Sequence, residues 1–227
     1  MALRAIVFDF DGVIANSEPL HFQAFRDVLS AHGLAFDERD YYARYLGFDD
    51  VGVFQTVGAE RGADWTPARI GELVADKAVR LEALEHGGAV LFPGAADAIR
   101  RAAARVPIAI ASGARGEEIR RVLNRENLAS YFSAIVAAED TAVSKPAPDP
   151  YVRALALLIP ATGANLKGAE CVAIEDSVWG LAAARSAGLK TVGVTHTYEA
   201  SVLTTADLVI GSLDALDIEH LVKLCSR

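Results

Sequence analysis

Cysteine is scarce in this sequence, with two among 227 residues. Cys171 lies in an apolar run and Cys225 stands close to the last residue, a spacing that matches neither a zinc site nor a disulfide framework. The sequence therefore predicts two free thiols and excludes a cysteine-bound metal centre.

Long hydrophobic runs are also missing. The apolar stretches are broken within about a dozen residues, whereas a membrane-spanning helix needs about 20. The first residues, MALRAIVFDFDG, lead at once into acidic positions and do not resemble a secretory leader. These absences predict a cytoplasmic protein without a membrane partner.

An excess of basic charge is the third absence, because the formal net charge is −8 at pH 7. Binders of nucleic acid or of anionic membrane surfaces normally present a basic face, so no such partner is expected. A small phosphorylated molecule is compatible with this charge, since it needs only a few local donors and a metal ion. Composition leaves the oligomeric state open.

The segments that are present alternate between strand-like and helix-like patterns. Six short apolar runs, each followed by a small or acidic residue, predict buried parallel strands at 5–8, 107–111, 134–138, 171–174, 191–194 and 208–210. Helical periods follow at 95–104, 117–126, 150–158, 177–187 and 213–224. This alternation over residues 91–227 predicts an α/β fold built on a doubly wound parallel sheet.

Residues 18–87 depart from that pattern, because they contain no strand-like run. Four helical segments fill the stretch, at 18–32, 38–44, 49–61 and 67–85, and they are separated at Gly33, Gly47, Gly62 with Pro67, and Gly87-Gly88. The sequence therefore predicts an α/β core of residues 1–15 and 91–227 and an inserted helical cap of residues 16–90.

Two of the predicted strands end in a pair of acids. Asp9 and Asp11 follow the first strand, and Glu175 and Asp176 follow the fourth. Ligands of doubly wound sheets bind beyond the carboxyl ends of the strands, so we expect both pairs at one edge. Carboxylates buried there need a cation or a shared proton, and Mg²⁺ suits carboxylates completed by water and a substrate phosphate. Taken alone, an acid pair is equally typical of a loop or a helix cap.

Two further strand ends carry groups suited to phosphate. Ser112, with the backbone amides of Gly113 and Ala114, can hold phosphate oxygens, although a serine before a helix is often only an N-cap. Lys145 stands on a proline-stiffened loop, ahead of a helix for which Asp149 is the predicted N-cap. Its point charge suits a phosphoryl group lying among carboxylates. Two acid pairs, one Ser and one Lys together predict a phosphoryl-transfer site.

These motifs, in this order, resemble those of the haloacid dehalogenase-like hydrolases, especially the branch of β-phosphoglucomutase and phosphoglycolate-phosphatase relatives. The resemblance covers essentially the whole chain, since that branch carries a helical cap after its first motif. The matching residues are Asp9-Phe-Asp11-Gly-Val, Ser112, Lys145-Pro146 and Glu175-Asp176-Ser177.

The resemblance implies a role for each of these residues. Asp9 would be the nucleophile that becomes an aspartyl phosphate, and Asp11 the general acid and base. Ser112 and Lys145 would hold oxygens of the transferred group. Mg²⁺ would be bound by Asp9, the backbone carbonyl of Asp11, and Asp176, with Glu175 either a ligand or one shell away. Relatives that attack carbon as dehalogenases typically lack an acid at the place of Asp11, which disfavours that reaction.

The cap is expected to decide between a phosphatase and a phosphomutase, which share all these residues. His21 stands where phosphoglucomutase relatives have a cap histidine, although a buried or solvated histidine is as common on such a helix. Those relatives also place an arginine after a cap glycine to hold a distal phosphate, whereas loop 47–51 here carries Asp49 and Asp50. Two acids would repel a second phosphate, so hydrolysis of a small phosphate monoester is predicted.

The alternatives to a phosphatase are a β-phosphoglucomutase-like phosphomutase and an inactive phosphate-binding protein. Lys77, on a later cap helix, would offset part of the acidic charge of the loop and so favours the first alternative. The intact set of acids, Ser and Lys disfavours the second.

Overall fold

The computed structural model describes residues 2–46, 48–86, 90–163 and 165–226. The helix breaks predicted at Gly47 and at Gly87-Gly88 lie outside these residues. The chain forms two compact units, one made of Met1–Asn16 with Val90–Arg227 and the other of Ser17–Ala89. They are called here the α/β unit and the helical unit.

A six-stranded parallel sheet forms the centre of the α/β unit. Its strands are β1 (Ala5–Phe8), β2 (Ile108–Ala111), β3 (Phe132–Val136), β4 (Cys171–Glu175), β5 (Lys190–Val194) and β6 (Leu208–Ile210). Their order in space is β3-β2-β1-β4-β5-β6, so the winding reverses between β1 and β4. Ligands of such sheets bind at this reversal, beyond the carboxyl ends of the strands. The predicted α/β class with a parallel sheet is therefore confirmed.

The central strand explains why the apolar runs predicted strands. β1 pairs with both β2 and β4, and Phe8 lies opposite Ile110 on one side and Ile174 on the other. All four residues of β1 are fully buried. Since successive side chains of a strand point to opposite faces, complete burial requires cover on both faces of the sheet.

Helices supply this cover and also build the helical unit. Over the described residues the helical unit contains α1 (Glu18–Ala31), α2 (Glu38–Asp40), α3 (Asp50–Glu60) and α4 (Pro67–His86), and the α/β unit contains α5 (Ala95–Ala103), α6 (Gly116–Arg125), α7 (Asp149–Thr162), α8 (Val178–Ser186) and α9 (Ile218–Cys225). Of the helices in this described part, none is both long and apolar enough to cross a bilayer.

An aromatic core holds the helical unit together. The rings of Phe25 and Phe54 lie edge to face with centroids 5.3 Å apart, and α1 packs along α4. Two tyrosines of the same core donate hydrogen bonds to acids. The hydroxyl of Tyr41 donates to Glu18 at 2.6 Å, and that of Tyr45 donates to Glu60 at 2.7 Å. Burial raises the pKa of the Glu18 carboxyl. The unit is thus a small helical bundle whose aromatic core also contains the hydrogen-bonded pair of Tyr41 and Glu18.

Several predicted boundaries differ from those observed. The helix predicted over 38–44 is a short α-helical turn followed by a π-helical turn at Tyr41–Tyr45. The helix predicted over 213–224 begins later, at Ile218, because the side chain of Asp217 accepts the backbone N–H of Glu219 and caps it. Asp149, predicted as an N-cap, is the first helical residue of α7. Helical periodicity alone does not show where a helix begins, and for α9 the side-chain cap of Asp217 decides it.

Candidate active site

Two acid pairs approach each other at the reversal of the sheet. The backbone N–H of Asp9 donates to the carbonyl of Ile174 at 2.9 Å, in continuation of the pairing between β1 and β4. Glu175 is the last residue of β4 and Asp176 follows it. Strand order therefore brings Asp9 beside two acids that are far away in sequence.

Lys145 lies among these acids. Its Nζ is 2.9 Å from Oδ1 of Asp9 and donates to Oε1 of Glu175 at 2.6 Å. Burial lowers the pKa of Lys145, but the attraction of Asp9 and Glu175 outweighs it, so the pKa lies above its ordinary value. The ammonium group therefore stays charged at neutral pH and is suited to a phosphoryl group.

The pKa of Asp9 departs strongly from its ordinary value. Burial, assisted by repulsion from Glu175 and Asp11, raises the pKa of its carboxyl from 3.8 to about 7, although Lys145 acts in the opposite direction. Its Oδ1 also accepts the backbone N–H of Phe10 at 2.7 Å. A nucleophile of this kind has to be ionised, so more positive charge than Lys145 provides is needed around it.

The set of acids fits the predicted metal ion. Over the described residues, Asp9, Glu175 and Asp176 each offer a carboxylate oxygen within 4.8 Å of the others. Burial, followed by repulsion from Asp9 and Glu175, raises the pKa of Asp176 as well. Three carboxylates around the single ammonium group of Lys145 leave negative charge to be balanced. An all-oxygen set with excess negative charge is what a hard divalent cation such as Mg²⁺ binds.

Glu175 is held by donors on several sides. Its Oε1 accepts both the Nζ of Lys145 and the hydroxyl of Tyr151, the latter at 2.5 Å, and Oε2 accepts the hydroxyl of Ser177 at 3.3 Å. A Cβ on Gly180 would lie 2.0 Å or less from this carboxylate, so α8 can approach it only with glycine there. Three hydrogen bonds thus hold the Glu175 carboxylate, and one of them comes from Lys145. This favours the placement of Glu175 one shell away from the metal.

Asp11 lies in the turn after β1, where a short bridge joins it to Ala15. Gly12 adopts a φ of 76°, and a Cβ there would be 2.0 Å from Oδ2 of Asp176. Both the left-handed backbone and the close approach require glycine. The turn keeps Asp11 close enough to Asp9 to raise the pKa of that carboxyl by repulsion.

Ser112 follows β2, which flanks β1 on the side away from β4. Its side chain is nearly fully buried, and its Oγ accepts the backbone N–H of Ala114 at 3.0 Å. The Ala114 amide, predicted to hold phosphate, is therefore engaged by Ser112. Gly113 is exposed, and a Cβ there would meet nothing within 4 Å. The Ser112 hydroxyl proton and the Gly113 amide are the groups of this loop best suited to a phosphate oxygen.

The helical unit brings His21, Asp50 and Lys77 together, and we call these three residues the Lys77 cluster. Lys77 is fully buried, and its Nζ donates to Oδ1 and Oδ2 of Asp50 at 2.8 and 3.0 Å. The same Nζ is 2.8 Å from Nδ1 of His21. Asp49 instead caps α3 by accepting the N–H of Gly52 at 2.7 Å. The two acids of this loop are thus occupied, one by a buried lysine and one by a helix end.

Three residues without a predicted role complete the surroundings of the acids. Tyr151 holds Glu175, as described above. Thr197 donates from Oγ1 to Oδ2 of Asp176 at 2.5 Å, and Nδ1 of His196 is 3.0 Å from the carbonyl oxygen of Gly12. Thr197 and His196 follow β5, the strand next to β4, so the strand-end argument applied to a fifth strand would have found them.

With this geometry established, comparison with known proteins is decisive. Residues 3–188 match the family model of the haloacid dehalogenase-like hydrolases. The chain belongs to this family. The predicted family is confirmed, and with it the prediction of a hydrolytic enzyme.

Relatives of this haloacid dehalogenase-like hydrolase match along most of their length. The protein CbbY of Rhodobacter capsulatus is 33% identical, over 99% of this chain and 100% of its own. The fructose-1-phosphate phosphatase YqaB of Escherichia coli (strain K12) is 30% identical, over 83% of this chain and 95% of its own. The β-phosphoglucomutase of Bacillus subtilis (strain 168) is also 30% identical, over 96% and 94%. The predicted β-phosphoglucomutase-like branch is therefore confirmed.

A solved structure agrees with these matches. A variant of CbbY from Rhodobacter sphaeroides, in complex with xylulose-(1,5)bisphosphate, matches this fold with a TM-score of 0.82 and 28% sequence identity. The match covers 95% of this chain and 96% of that one. The fold of this chain is therefore that of a haloacid dehalogenase-like hydrolase over nearly its whole length.

The hydroxyl of Tyr151 is predicted to stabilise the fold through Glu175. A Tyr151→Phe variant removes one donor from a buried carboxylate, so we expect the free energy of unfolding to fall by about 1.5–3 kcal/mol. Equilibrium urea unfolding measures this loss. The matched control is Tyr131→Phe, since Tyr131 is exposed, and it should change stability by less than about 0.5 kcal/mol. Equal effects of the two variants would contradict the prediction.

The raised pKa of Asp9 predicts a pH-dependent effect on stability in metal-free protein. The unfolded chain ionises this carboxyl near its ordinary pKa of 3.8, whereas the folded chain retains the proton up to about 7. Wild-type stability therefore falls as pH rises through this window, and Asp9→Asn removes that loss. We expect the variant's Tm relative to wild type to become more positive from about pH 5 to about pH 8.

Scanning calorimetry in the presence of EDTA measures this difference in Tm. The control is Asp97→Asn, because the side chain of Asp97 is 71% exposed and its replacement should give a difference that is nearly constant with pH. A constant difference for Asp9→Asn as well would show that burial does not raise the pKa of Asp9.

Proposed function

We propose that this chain is a Mg²⁺-dependent phosphatase that hydrolyses a small phosphate monoester, such as a sugar phosphate or a phosphoglycolate-like acid, through an aspartyl phosphate at Asp9. The observation that carries the proposal is the contact of Lys145 with both Asp9 and Glu175 at the reversal of the sheet. A charged lysine beside a buried carboxylate suits attack by that carboxylate, in its ionised form, on an anionic phosphate.

In the first step, a carboxylate oxygen of Asp9 attacks the phosphorus of the ester, and the bond between phosphorus and the ester oxygen breaks. Asp11 gives its proton to the departing oxygen, so that an alcohol leaves. Lys145, with the hydroxyl of Ser112, stabilises the charge on the phosphoryl oxygens. The products of this step are the alcohol, an aspartyl phosphate at Asp9 and an ionised Asp11.

In the second step, Asp11 takes a proton from a water molecule whose oxygen attacks the phosphorus. The bond between phosphorus and Asp9 breaks, inorganic phosphate forms, and Asp11 has regained its proton. Bound Mg²⁺, held by Asp9, Asp176 and the carbonyl of Asp11, would supply positive charge that favours the ionised nucleophile and reduces its repulsion from the phosphate. Glu175 keeps Lys145 in place throughout.

The charge of the Lys77 cluster favours a monophosphate over a bisphosphate. A second phosphate would need a cation, but the buried ammonium group of Lys77 is already paired with both oxygens of Asp50. The relative CbbY from Rhodobacter sphaeroides does bind xylulose-(1,5)bisphosphate, whereas the relative YqaB is a fructose-1-phosphate phosphatase. Neutralisation of Lys77 supports the second type of substrate for this chain.

A phosphatase screen tests the proposal directly. The full-length protein is incubated with Mg²⁺ and fructose 1-phosphate, other sugar monophosphates, phosphoglycolate, xylulose 1,5-bisphosphate or β-glucose 1-phosphate, and inorganic phosphate is measured. We expect release from at least one monophosphate, loss of release in EDTA, and a fall of at least about 10³-fold in kcat for Asp9→Asn. The amide of that variant cannot form an aspartyl phosphate, whereas Asp97→Asn should keep wild-type turnover.

Each competing function has its own outcome in this screen. Glucose 6-phosphate formed from β-glucose 1-phosphate in the presence of a bisphosphate primer, without phosphate release, would replace the phosphatase by a phosphomutase. Absence of turnover over the whole set would favour an inactive phosphate-binding protein. Wild-type turnover by Asp9→Asn would refute the covalent mechanism.

Asp50 is predicted to set the preference between one and two phosphates. Asp50→Asn removes the carboxylate that is paired with the ammonium group of Lys77, so an anionic second phosphate gains an attraction. We expect kcat/KM for xylulose 1,5-bisphosphate, relative to fructose 1-phosphate, to rise about 10-fold, equal to about 1.4 kcal/mol. Asp49→Asn is the matched control, since Asp49 caps α3 and should leave this ratio unchanged. A ratio that is unaltered in both variants would contradict the role of Asp50.

A further inference from the structure

The segment after β5, residues 195–198, contacts both Asp176 and the turn after β1, and we call it the β5 loop. β5 pairs with β4, so the loop leaves the sheet beside Glu175 and Asp176. Within it, Thr197 contacts Asp176 and His196 contacts the turn after β1. One short segment therefore contacts both Asp176 and the turn that carries Asp11.

Thr197 fixes the orientation of the Asp176 carboxylate. Its hydroxyl donates to Oδ2 of Asp176 at 2.5 Å, and Asp176 is 6% exposed. This hydrogen bond restrains rotation of the Asp176 carboxyl group, and it is strongest when that group is ionised. Gly12 lies near the same oxygen, since a Cβ added at Gly12 would be 2.0 Å from it.

His196 holds the turn on the other side. Because the carbonyl of Gly12 can only accept, Nδ1 of His196 is the donor in their 3.0 Å contact. The imidazole ring stacks on Phe92 with centroids 3.9 Å apart, and the backbone N–H of Phe92 donates to Ile14 at 3.0 Å. His196 is thus held by two contacts, one with the ring of Phe92 and one with the backbone carbonyl of Gly12.

We propose that Thr197 is a positioning residue that orients Asp176 for Mg²⁺, with His196 fixing the loop that carries it. The inference rests on the proposed Mg²⁺-dependent function, and it adds a residue that the four sequence motifs do not contain. A buried carboxylate that is already oriented loses less freedom when it binds a metal ion, and replacement of such outer-shell donors typically weakens metal binding about 10–100-fold.

The test measures Mg²⁺ binding separately from activity. MgCl₂ alone is titrated into the full-length chain by isothermal calorimetry, for wild type, Thr197→Val and Thr197→Ser. Val keeps the shape of the side chain and removes the donor, so we expect Kd to rise at least about 10-fold. Ser keeps the hydroxyl and should restore Kd to within about 3-fold of wild type. Circular dichroism before each titration shows that the variants are folded.

Thr195→Val serves as the matched control within the β5 loop. Thr195 has a long contact of 3.5 Å with the carbonyl of Gly211, away from the acids, so its replacement should leave the Kd for Mg²⁺ unchanged. A role that is merely structural would weaken Mg²⁺ binding alike in Thr195→Val and Thr197→Val, or would not be restored by Ser. Either result, or a wild-type Kd in Thr197→Val, overturns the proposal.

Failure of the role proposed for Thr197 can be distinguished from failure of the proposed phosphatase function. If wild-type protein releases phosphate from no substrate but Thr197→Val still binds Mg²⁺ 10-fold more weakly than Thr197→Ser, the positioning role stands and the phosphatase does not. If wild-type protein is an active Mg²⁺-dependent phosphatase and Thr197→Val binds Mg²⁺ normally, the phosphatase stands and the positioning role does not.

Discussion

The contact of one buried ammonium group with two carboxylates is the constraint on which this site depends. Lys145 reaches Asp9 and Glu175 across the junction of β1 and β4. Removing one partner from a buried charge cluster typically costs about 3–5 kcal/mol, because the remaining charge is left without a countercharge. Each of these residues therefore requires the other two. Tyr151 and Ser177 extend the cluster by holding Glu175 from the helices that begin beside it.

The cluster is not electrically balanced, and the proposed function accounts for this imbalance. Asp176 adds a third carboxylate, and burial raises the pKa of both Asp9 and Asp176. A fold selected for stability alone would place fewer acids at such a junction. An enzyme that binds a cation and an anionic substrate in turn gains from the same arrangement, because the protein supplies only part of the charge that the reaction requires. If the chain has the proposed function, the unfavourable electrostatics of the metal-free site would be the source of its affinity for Mg²⁺.

The strands and most of the helices could be predicted from the sequence, but the contacts between them could not. The apolar runs predicted all six strands, and the signal is strongest in the central ones, which are covered on both faces. The acids at strand ends followed from the same runs. That β4 lies beside β1 could not be read locally, since strand order is decided by how distant segments pack. For that reason the sequence left Glu175 open between ligand and outer shell, whereas the donors around it, Tyr151 above all, favour the outer shell. Thr197 and His196 were missed because no motif includes them.

The acids of loop 47–51 show why charge counted along a sequence can mislead. Treated as free groups, Asp49 and Asp50 predict a repulsive loop. In the structure one of them caps α3 and the other neutralises the buried ammonium group of Lys77, so neither acts as a free charge. The proposal that a second phosphate is disfavoured therefore has a different basis from the prediction made from sequence. It rests on a cation that is already paired, whereas the sequence argued from two unpaired anions. That proposal depends on a single ion pair within the helical unit, between Lys77 and Asp50.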